Sequence, residues 1–256
     1  MTHPEPNRSI KPLVADGLIK TYPGSRTAAL SRFNLSVEPG EIVGLLGPNG
    51  SGKTTAISLM TGLLSPDSGT VHICGMDIFR HPGKARQWIG LVPQHIALYP
   101  TLTVTENLTY FGRMYRLNRH DLKTRIDACL EMVGLSNNAH IRIDTCSGGM
   151  KRRANLAVAL LHTPRMLFLD EPTVGIDPQS RNRILEQLVD LSQSGVSILY
   201  TTQYMEEAEK ICSRVIIIDE GRIIAQDSPH ELISGHPGCD NLGVLFLQLT
   251  GKELRD

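Results

Sequence analysis

Short apolar runs recur along this chain at the lengths expected of β-strands. Several of them, such as the run at 41–47 and the run at 214–219, are almost continuously apolar, as is typical of strands covered on both faces. The pattern therefore predicts an α/β core. The predicted strands are 13–20, 29–37, 41–47, 70–75, 165–170, 197–202 and 214–219.

The periodicity changes to a helical one between 104 and 162, where strand signals almost disappear. This region is predicted to be a helical insertion, and two more helices are expected at 180–194 and 205–212. The predicted organisation is a flexible N-terminal arm at 1–11, a main domain at 12–236 with a helical subdomain at about 95–162, and a short C-terminal extension at 237–256.

Composition narrows the possible functions. Lys and Arg together number 26, as do Asp and Glu, so no overall basic charge is available to hold nucleic acid. The five cysteines are widely spaced and the nine histidines lack metal-ligand spacing, which argues against a disulfide framework or a zinc site and favours a reducing compartment. Because the N-terminus lacks an apolar core and no apolar run approaches the length of a membrane span, a membrane role is expected to come through a partner.

One segment matches the pattern GxxxxGK[ST] directly after an apolar run and before a helical one. Glycines let successive backbone N–H groups turn toward phosphate oxygens, and the following helix adds partial positive charge. Lys53 is predicted to reach the β- and γ-phosphates, and the Thr54 hydroxyl to ligate Mg²⁺. The predicted nucleotide-binding residues here are Gly47, Pro48, Asn49, Gly50, Ser51, Gly52, Lys53, Thr54 and Thr55.

A second apolar run, MLFLDE at 166–171, ends in two adjacent acids. Asp170 is predicted to help hold Mg²⁺, and Glu171 to act as general base toward the attacking water. The chain lacks a guanine-recognition motif of the NKxD type, and it has no room for the second motor domain of a helicase. A nucleoside triphosphatase of another class is therefore expected.

The segment CSGGMKRR at 146–153, upstream of the acidic strand, resembles the signature of ATP-binding-cassette (ABC) proteins. The motif order of that family extends over nearly the whole chain. The resemblance implies a P-loop nucleotide-binding domain with a RecA-like core, an antiparallel β subdomain and a helical subdomain. It also implies a head-to-tail dimer, expected to be a homodimer, in which Ser147, Gly148 and Gly149 close over a nucleotide held by the other subunit.

Further positions take their roles from the same resemblance. Tyr22 matches the aromatic residue that stacks on adenine, and Gln94 matches the Q-loop glutamine that touches Mg²⁺ or water. Asp177 matches the D-loop acid at the dimer interface. Lys151, Arg152 and Arg153 are expected to form a solvated helix face.

Two positions depart from the family pattern. Cys146 stands where leucine, a larger apolar residue or tyrosine is usual, and we expect this difference to have little effect. Gln203 stands where most members have histidine; its amide can donate to a γ-phosphate oxygen but cannot become cationic. We expect Gln203 to support catalysis.

The stretch ALYPTLTVTENLTYFGRMYRL and the C-terminal LFLQLTGKELRD resemble ATPase subunits of ABC-2 type exporters of the daunorubicin-resistance kind. That resemblance implies ATP hydrolysis powering a separate membrane permease, for export of a drug, antibiotic or lipid-like compound. It implies a cytoplasmic protein held on the inner face of the cell membrane by its permease, with no nucleic-acid partner. The alternative is a non-transport ABC ATPase acting as a soluble assembly factor.

Overall fold

The computed structural model describes residues 10–251 of the chain, so most of the arm predicted at 1–11 and the last residues of the predicted extension lie outside the described residues. The strands are β1 Leu13–Lys20, β2 Leu30–Val37, β3 Ile42–Leu46, β4 Ser68–Ile73, β5 Met76–Asp77, β6 Ile89–Val92, β7 Met166–Asp170, β8 Ser197–Thr202, β9 Arg214–Asp219 and β10 Arg222–Asp227. The α-helices are α1 Lys53–Met60, α2 Pro82–Ala85, α3 Val104–Met114, α4 Arg119–Met132, α5 Gly148–Leu160, α6 Pro178–Gln193, α7 Met205–Ile211, α8 Pro229–Ser234 and α9 Leu242–Thr250. Short 3₁₀ turns occupy Arg86–Trp88, Ser136–Asn138 and Ile143–Thr145.

A six-stranded sheet forms the centre of the described part, in the order β10-β9-β3-β8-β7-β6. Its five consecutive strands from β9 to β6 pair in parallel, and β10 pairs antiparallel with β9 at one edge. Every residue of β3, β7 and β8 is buried, which explains why their sequences show continuous apolar runs rather than alternation.

Alternate residues of these central strands point to two different cores. In β3, Ile42 and Leu46 pack on the side of α5, α6 and α7, whereas Val43 and Leu45 pack on the side of α1. Each buried apolar side chain of this size stabilises the fold by about 1.5–3 kcal/mol. The sheet is thus fixed from both faces, which holds the ends of its strands in place.

A separate antiparallel sheet, in the order β2-β1-β4-β5, covers the α1 side. Its apolar side chains share one core with α1 and the central sheet. This sheet and the helical region confirm the fold class implied by the family resemblance.

The helical region contains α3 and α4, and its helices begin at recognisable caps. Thr103 and Glu106 form a reciprocal capping box at the start of α3, and Asn118 accepts a hydrogen bond from the Asp121 N–H at the start of α4. Residues 104–162 hold no named strand, as the periodicity predicts; an isolated bridge joins Thr103 to Arg142.

Three strands were not predicted. β5 has two residues and β6 has four, which is too short for a period to register. β10 is a mostly exposed edge strand whose three apolar residues are consecutive and do not alternate with polar ones. At the C-terminal side, α9 packs on α7 and α8, burying Leu242, Leu245 and Phe246 completely. Within the described residues, no helix is both long and apolar enough to cross a membrane.

Candidate functional site

Three neighbouring parallel strands deliver the predicted chemical groups to one edge of the central sheet. β3 leads into the glycine-rich loop, β7 ends at Asp170, and β8 leads directly to Gln203. The register pairs Leu46 with Thr202 and Asp170 with Thr201, so the three strand ends lie side by side. The carboxyl ends of strands in an open α/β sheet are where such proteins bind ligands.

The loop between β3 and α1 has a backbone that only glycine tolerates at several positions. Gly50 and Gly52 have φ values of +82° and +110°, in the left-handed region. A Cβ at Gly47 would lie 2.3 Å from the Ile218 carbonyl oxygen and 2.5 Å from Ser51 Oγ. The loop is therefore closely folded against β9.

This loop has the donors that a phosphate needs. No side chain caps α1, whose first backbone N–H groups have no acceptor within the helix. Ser51 is buried, and its Oγ has no hydrogen-bond partner among the described residues. A helix N-terminus preceded by glycines in left-handed conformation is an anion-binding arrangement, so the residues present fit a nucleotide phosphate.

Lys53, the first residue of α1, is 4% exposed and turns back over the loop. Its Nζ donates to the carbonyl oxygens of Gly47 and Pro48, at 2.8 and 3.2 Å. The same atom lies 3.3 Å from Glu171 Oε1. The loop lysine and the acidic strand end are therefore in direct contact.

Glu171 lies between two of the other predicted residues. Gln94, just after β6, donates from Nε2 to Glu171 Oε2 at 3.0 Å, opposite the Lys53 contact on Oε1. The Glu171 backbone has a φ of +47°, which is unfavourable for a residue with a side chain and is held by a hydrogen bond from its N–H to Thr201 Oγ1. Strained residues of this kind concentrate at functional sites.

Asp170 is buried beside this group. Its Oδ1 accepts a hydrogen bond of 2.9 Å from Thr201 Oγ1, the hydroxyl that also accepts from the Glu171 N–H. Thr201 thus holds both acids of the pair. It was not singled out from the sequence, because a threonine at the end of a buried strand carries no distinguishing signal.

Tyr22 and Gln203 lie at the borders of this group. Tyr22 is 43% exposed, and its hydroxyl lies 3.3 Å from Thr55 Oγ1 in the first turn of α1. Gln203 is partly buried and lines a cavity of about 590 Å³ together with Arg181 and Tyr204.

The signature residues form a second group around the N-termini of α5 and α6. Ser147 is exposed and caps α5 by accepting a hydrogen bond from the Met150 N–H. Asp177 is exposed and caps α6; the hydrogen bond from the Ser180 N–H to its carboxylate lowers the pKa of Asp177. A Cβ at Gly149 would lie 2.4 Å from Ser180 Oγ, so the two helices touch here.

The structure does not join the two groups directly. Within residues 10–251, no hydrogen bond or ion pair links Ser147, Gly149 or Asp177 to Lys53 or Glu171. The site as predicted therefore consists of two separate parts within a single chain.

The expectation of a solvated face at 151–153 is wrong for its two arginines. Arg152 donates to the carbonyl oxygens of Gln94 and Val174, and Arg153 donates to those of Val133 and Gly134 at the end of α4. Burial lowers the pKa of both guanidinium groups. A run of basic residues in the sequence does not reveal that backbone carbonyls lie within reach of it.

Comparison with known proteins agrees with this architecture. A family model described as ABC transporter matches residues 30–174. The linearmycin resistance ATP-binding protein LnrL of Bacillus subtilis (strain 168) is 49% identical over 239 residues, covering 93% of this chain and 74% of that protein. The Nod factor export ATP-binding protein I of Ralstonia nicotianae is 44% identical over 242 residues, covering 94% of this chain and 75% of that protein.

Solved structures show the same fold. The ATP-binding subunit of an ABC transporter superposes with a TM-score of 0.83 at 28% identity, covering 93% of this chain and 99% of that chain. A dimeric ATP-binding cassette in a post-hydrolysis state, bound to ADP and Pi, superposes with a TM-score of 0.76 at 28% identity, covering 84% of this chain and 98% of that chain. The family match extends over more than half of the chain and the relatives align along almost all of it, and on these grounds the chain belongs to the ABC transporter family.

Proposed function

We propose that this chain is the ATP-hydrolysing subunit of an ABC exporter and powers a separate membrane permease. Both relatives described above are ATP-binding proteins, one named for linearmycin resistance and the other for Nod factor export. These names support a role in export, and the proposed cargo is a drug, antibiotic or lipid-like compound. The observation that carries the catalytic part is the contact of Glu171 with both Lys53 and Gln94 at the end of the phosphate loop.

In this proposal the loop at 47–55 binds the phosphates of ATP, and Lys53 neutralises the β- and γ-phosphate oxygens. Thr54, Asp170 and Gln94 offer hydroxyl, carboxylate and amide oxygens, which are the ligands that Mg²⁺ prefers. When bound, Mg²⁺ supplies positive charge to the phosphate oxygens. Tyr22 offers an exposed aromatic face next to α1 for stacking on adenine.

Glu171 acts as the general base. A γ-phosphate held by the loop and by Lys53 lies close to the Glu171 carboxylate, because Lys53 Nζ already lies 3.3 Å from it. Glu171 takes a proton from water as that water attacks the γ-phosphorus, and ADP leaves. Gln203 donates from its amide to a γ-phosphate oxygen at the end of the adjacent strand.

The two separate groups within one chain support a dimer in which each site is completed by the other subunit. Ser147 and Gly148 are exposed at the start of α5, with Gly149 buried behind them, and none of the three bonds to Lys53 of the same chain. They would close over the nucleotide of the other subunit, with Asp177 at the interface. We propose a head-to-tail homodimer, since one chain supplies both halves.

The domain bounds and the location belong to the same proposal. The ATPase domain covers 12–236 with a helical subdomain at about 95–162, followed by an extension from 237. The chain would lie in the cytoplasm, on the inner face of the membrane through its permease, and it would not bind nucleic acid.

The experiment is phosphate release from Mg-ATP by the purified chain, followed by purification of the tagged chain from gently solubilised membranes. We expect hydrolysis that is lost in Glu171→Gln, and co-purification of a multi-span membrane protein. Hydrolysis without any membrane partner would favour a soluble assembly factor instead. Equal hydrolysis by the parent and Glu171→Gln would refute the assignment of the base.

The dimer is tested by mixing a Lys53→Ala chain with a Ser147→Arg chain. Each alone is inactive at both sites, whereas the heterodimer has one site with both changes and one intact site. Partial recovery of hydrolysis supports sites shared between subunits. Absence of recovery in heterodimers shown to form would contradict independent shared sites.

A further inference from the structure

Glu207, in α7, is a buried carboxylate for which the mechanism above has no role. The residue is 4% exposed, whereas its neighbour Glu206 is exposed. A buried carboxylate is costly unless hydrogen bonds and positive charge compensate for the lost water. The contacts of Glu207 therefore indicate what holds it inside the protein.

One oxygen of Glu207 accepts three hydroxyl hydrogen bonds. Oε2 accepts from Thr173 Oγ1 and Thr202 Oγ1, each at 2.9 Å, and from the Tyr200 hydroxyl at 2.5 Å. Burial and the Glu207 carboxylate raise the pKa of Tyr200, so its hydroxyl keeps the proton that it donates. The other oxygen, Oε1, lies 3.3 Å from Arg181 Nε; this is close enough for ion pairing, although the N–H is not aligned for a hydrogen bond.

These donors lie close in sequence to the reactive groups, one in the loop after β7 and two in β8. Thr173 follows Glu171 by two residues and precedes Asp177 by four. Thr202 is the last residue of β8 and directly precedes Gln203. The carboxylate of Glu207 therefore connects the loop after β7 to the end of β8, next to Gln203.

Tyr204, which follows Gln203 in the chain, is held through residues that contact the same carboxylate. The Tyr204 N–H donates to Thr202 Oγ1 at 2.9 Å, and the Tyr204 ring faces the Arg181 guanidinium, 4.7 Å from the ring centroid. Both Thr202 and Arg181 contact Glu207. Gln203 is thus fixed from both of its chain neighbours.

From this arrangement we propose that Glu207 is a positioning residue for ATP hydrolysis: it sets the place of Gln203 relative to Glu171. The inference rests on the proposed function, because it assigns Glu207 to the reaction proposed there. The carboxylate is needed because it accepts every hydrogen bond offered to it. The amide of a glutamine has one accepting oxygen, and its NH₂ group would point at a donor.

The first test compares Glu207→Gln with the matched control Glu206→Gln in the same helix. The full chain is assayed for steady-state ATP hydrolysis, alone and with its co-purified membrane partner. We expect Glu207→Gln to lower kcat about tenfold or more, as small displacements of reacting groups do, while KM for ATP changes less than about twofold because the phosphate loop is untouched. Glu206→Gln should match the parent.

The second test asks whether Glu207 acts through Gln203. In a Gln203→Ala background, Glu207→Gln should lower kcat less than about twofold, because the residue being positioned is already absent. The isosteric Thr202→Val removes the hydroxyl that donates to Glu207 next to Gln203, and it should likewise lower kcat with little change in KM. It also serves as the test if Glu207→Gln does not fold, as judged by circular dichroism.

If the parent hydrolyses ATP, either of two results would overturn the inference. One is a kcat for Glu207→Gln and Thr202→Val equal to that of the parent. The other is a Glu207→Gln effect of the same size with and without Gln203, since a merely structural residue acts independently of Gln203. A parent that does not hydrolyse Mg-ATP would refute the proposed function itself.

Discussion

Gly149 is expected to be a packing residue of the single chain, in addition to any contact with nucleotide. An ideal Cβ on Gly149 would lie 2.4 Å from Ser180 Oγ and 2.7 Å from Ser180 Cβ. Carbon atoms in contact lie about 3.5–4 Å apart, so Gly149→Ala forces α5 and α6 to separate by roughly 1 Å. Rotation of the Ser180 side chain would move Oγ but not Cβ, because the Ser180 backbone is held by its hydrogen bond to Asp177 at the cap of α6.

The adjacent Gly148 supplies a matched control. A Cβ there would meet its nearest atoms at 3.8 Å and 3.9 Å, which is ordinary contact. Gly148→Ala and Gly149→Ala gain the same helix propensity in the first turn of α5, so the difference between them isolates the clash. Overpacking costs about 1–3 kcal/mol, and we expect a difference of about 2 kcal/mol in the free energy of unfolding.

The assay is thermal unfolding of the full chain without nucleotide, followed by circular dichroism or calorimetry. At this chain length, about 2 kcal/mol corresponds to a Tm of Gly149→Ala about 4–8 °C below that of Gly148→Ala. Ser180→Gly removes both clashing atoms. In a Ser180→Gly background, Gly149→Ala and Gly148→Ala should therefore have the same Tm. Equal Tm values for the two alanine variants would refute the packing argument.

Three further predictions concern the nucleotide site. Lys53→Ala should weaken ATP binding at least about tenfold, as measured by calorimetry, because a charged hydrogen-bond donor is lost. Thermal unfolding of the variant serves as the control, because Glu171 also loses its ion pair. Glu171→Gln should bind ATP as the parent does and accumulate as an ATP-bound dimer on size exclusion; a variant that remains monomeric would contradict this. Gln203→Ala should slow turnover by roughly ten- to hundredfold, and Gln203→His should add an inflection near pH 6.5 that the parent lacks, as pH–rate profiles will show. Turnover by Gln203→Ala equal to that of the parent would exclude a direct role for residue 203.

The strands that bear the site could be predicted because they are buried on both faces. β3, β7 and β8 each carry an uninterrupted buried run, and the chemical residues lie at or directly after their ends. A phosphate loop and an acid pair are local in sequence, so their positions relative to the strands can be read from the order of residues. Their contact, from Lys53 to Glu171, depends on β3 and β7 lying on either side of β8, which no local pattern reveals.

The residues that escaped prediction act through distant partners. Arg152 looks like any basic residue on a helix surface until the Gln94 carbonyl is seen beside it. Glu207 and Glu206 are indistinguishable in sequence, and only the packing of α7 against β8 buries one and exposes the other. Thr201 gains its importance from pairing with Asp170 across strands.

Helix α5 has contacts at its exposed end and along its side. It begins after Ser147, which faces outward, and through Arg152 it holds the carbonyl oxygens of Gln94 and Val174, on either side of Glu171. A helix moves as a rigid body, so displacement of one contact displaces the other. In the proposed dimer, loss of phosphate beneath Ser147 would therefore shift the loops around the Glu171 of the same chain, which serves the other nucleotide. The two hydrolytic sites would then be coupled through the contacts of α5, among them those of Arg152, without contact between the nucleotides.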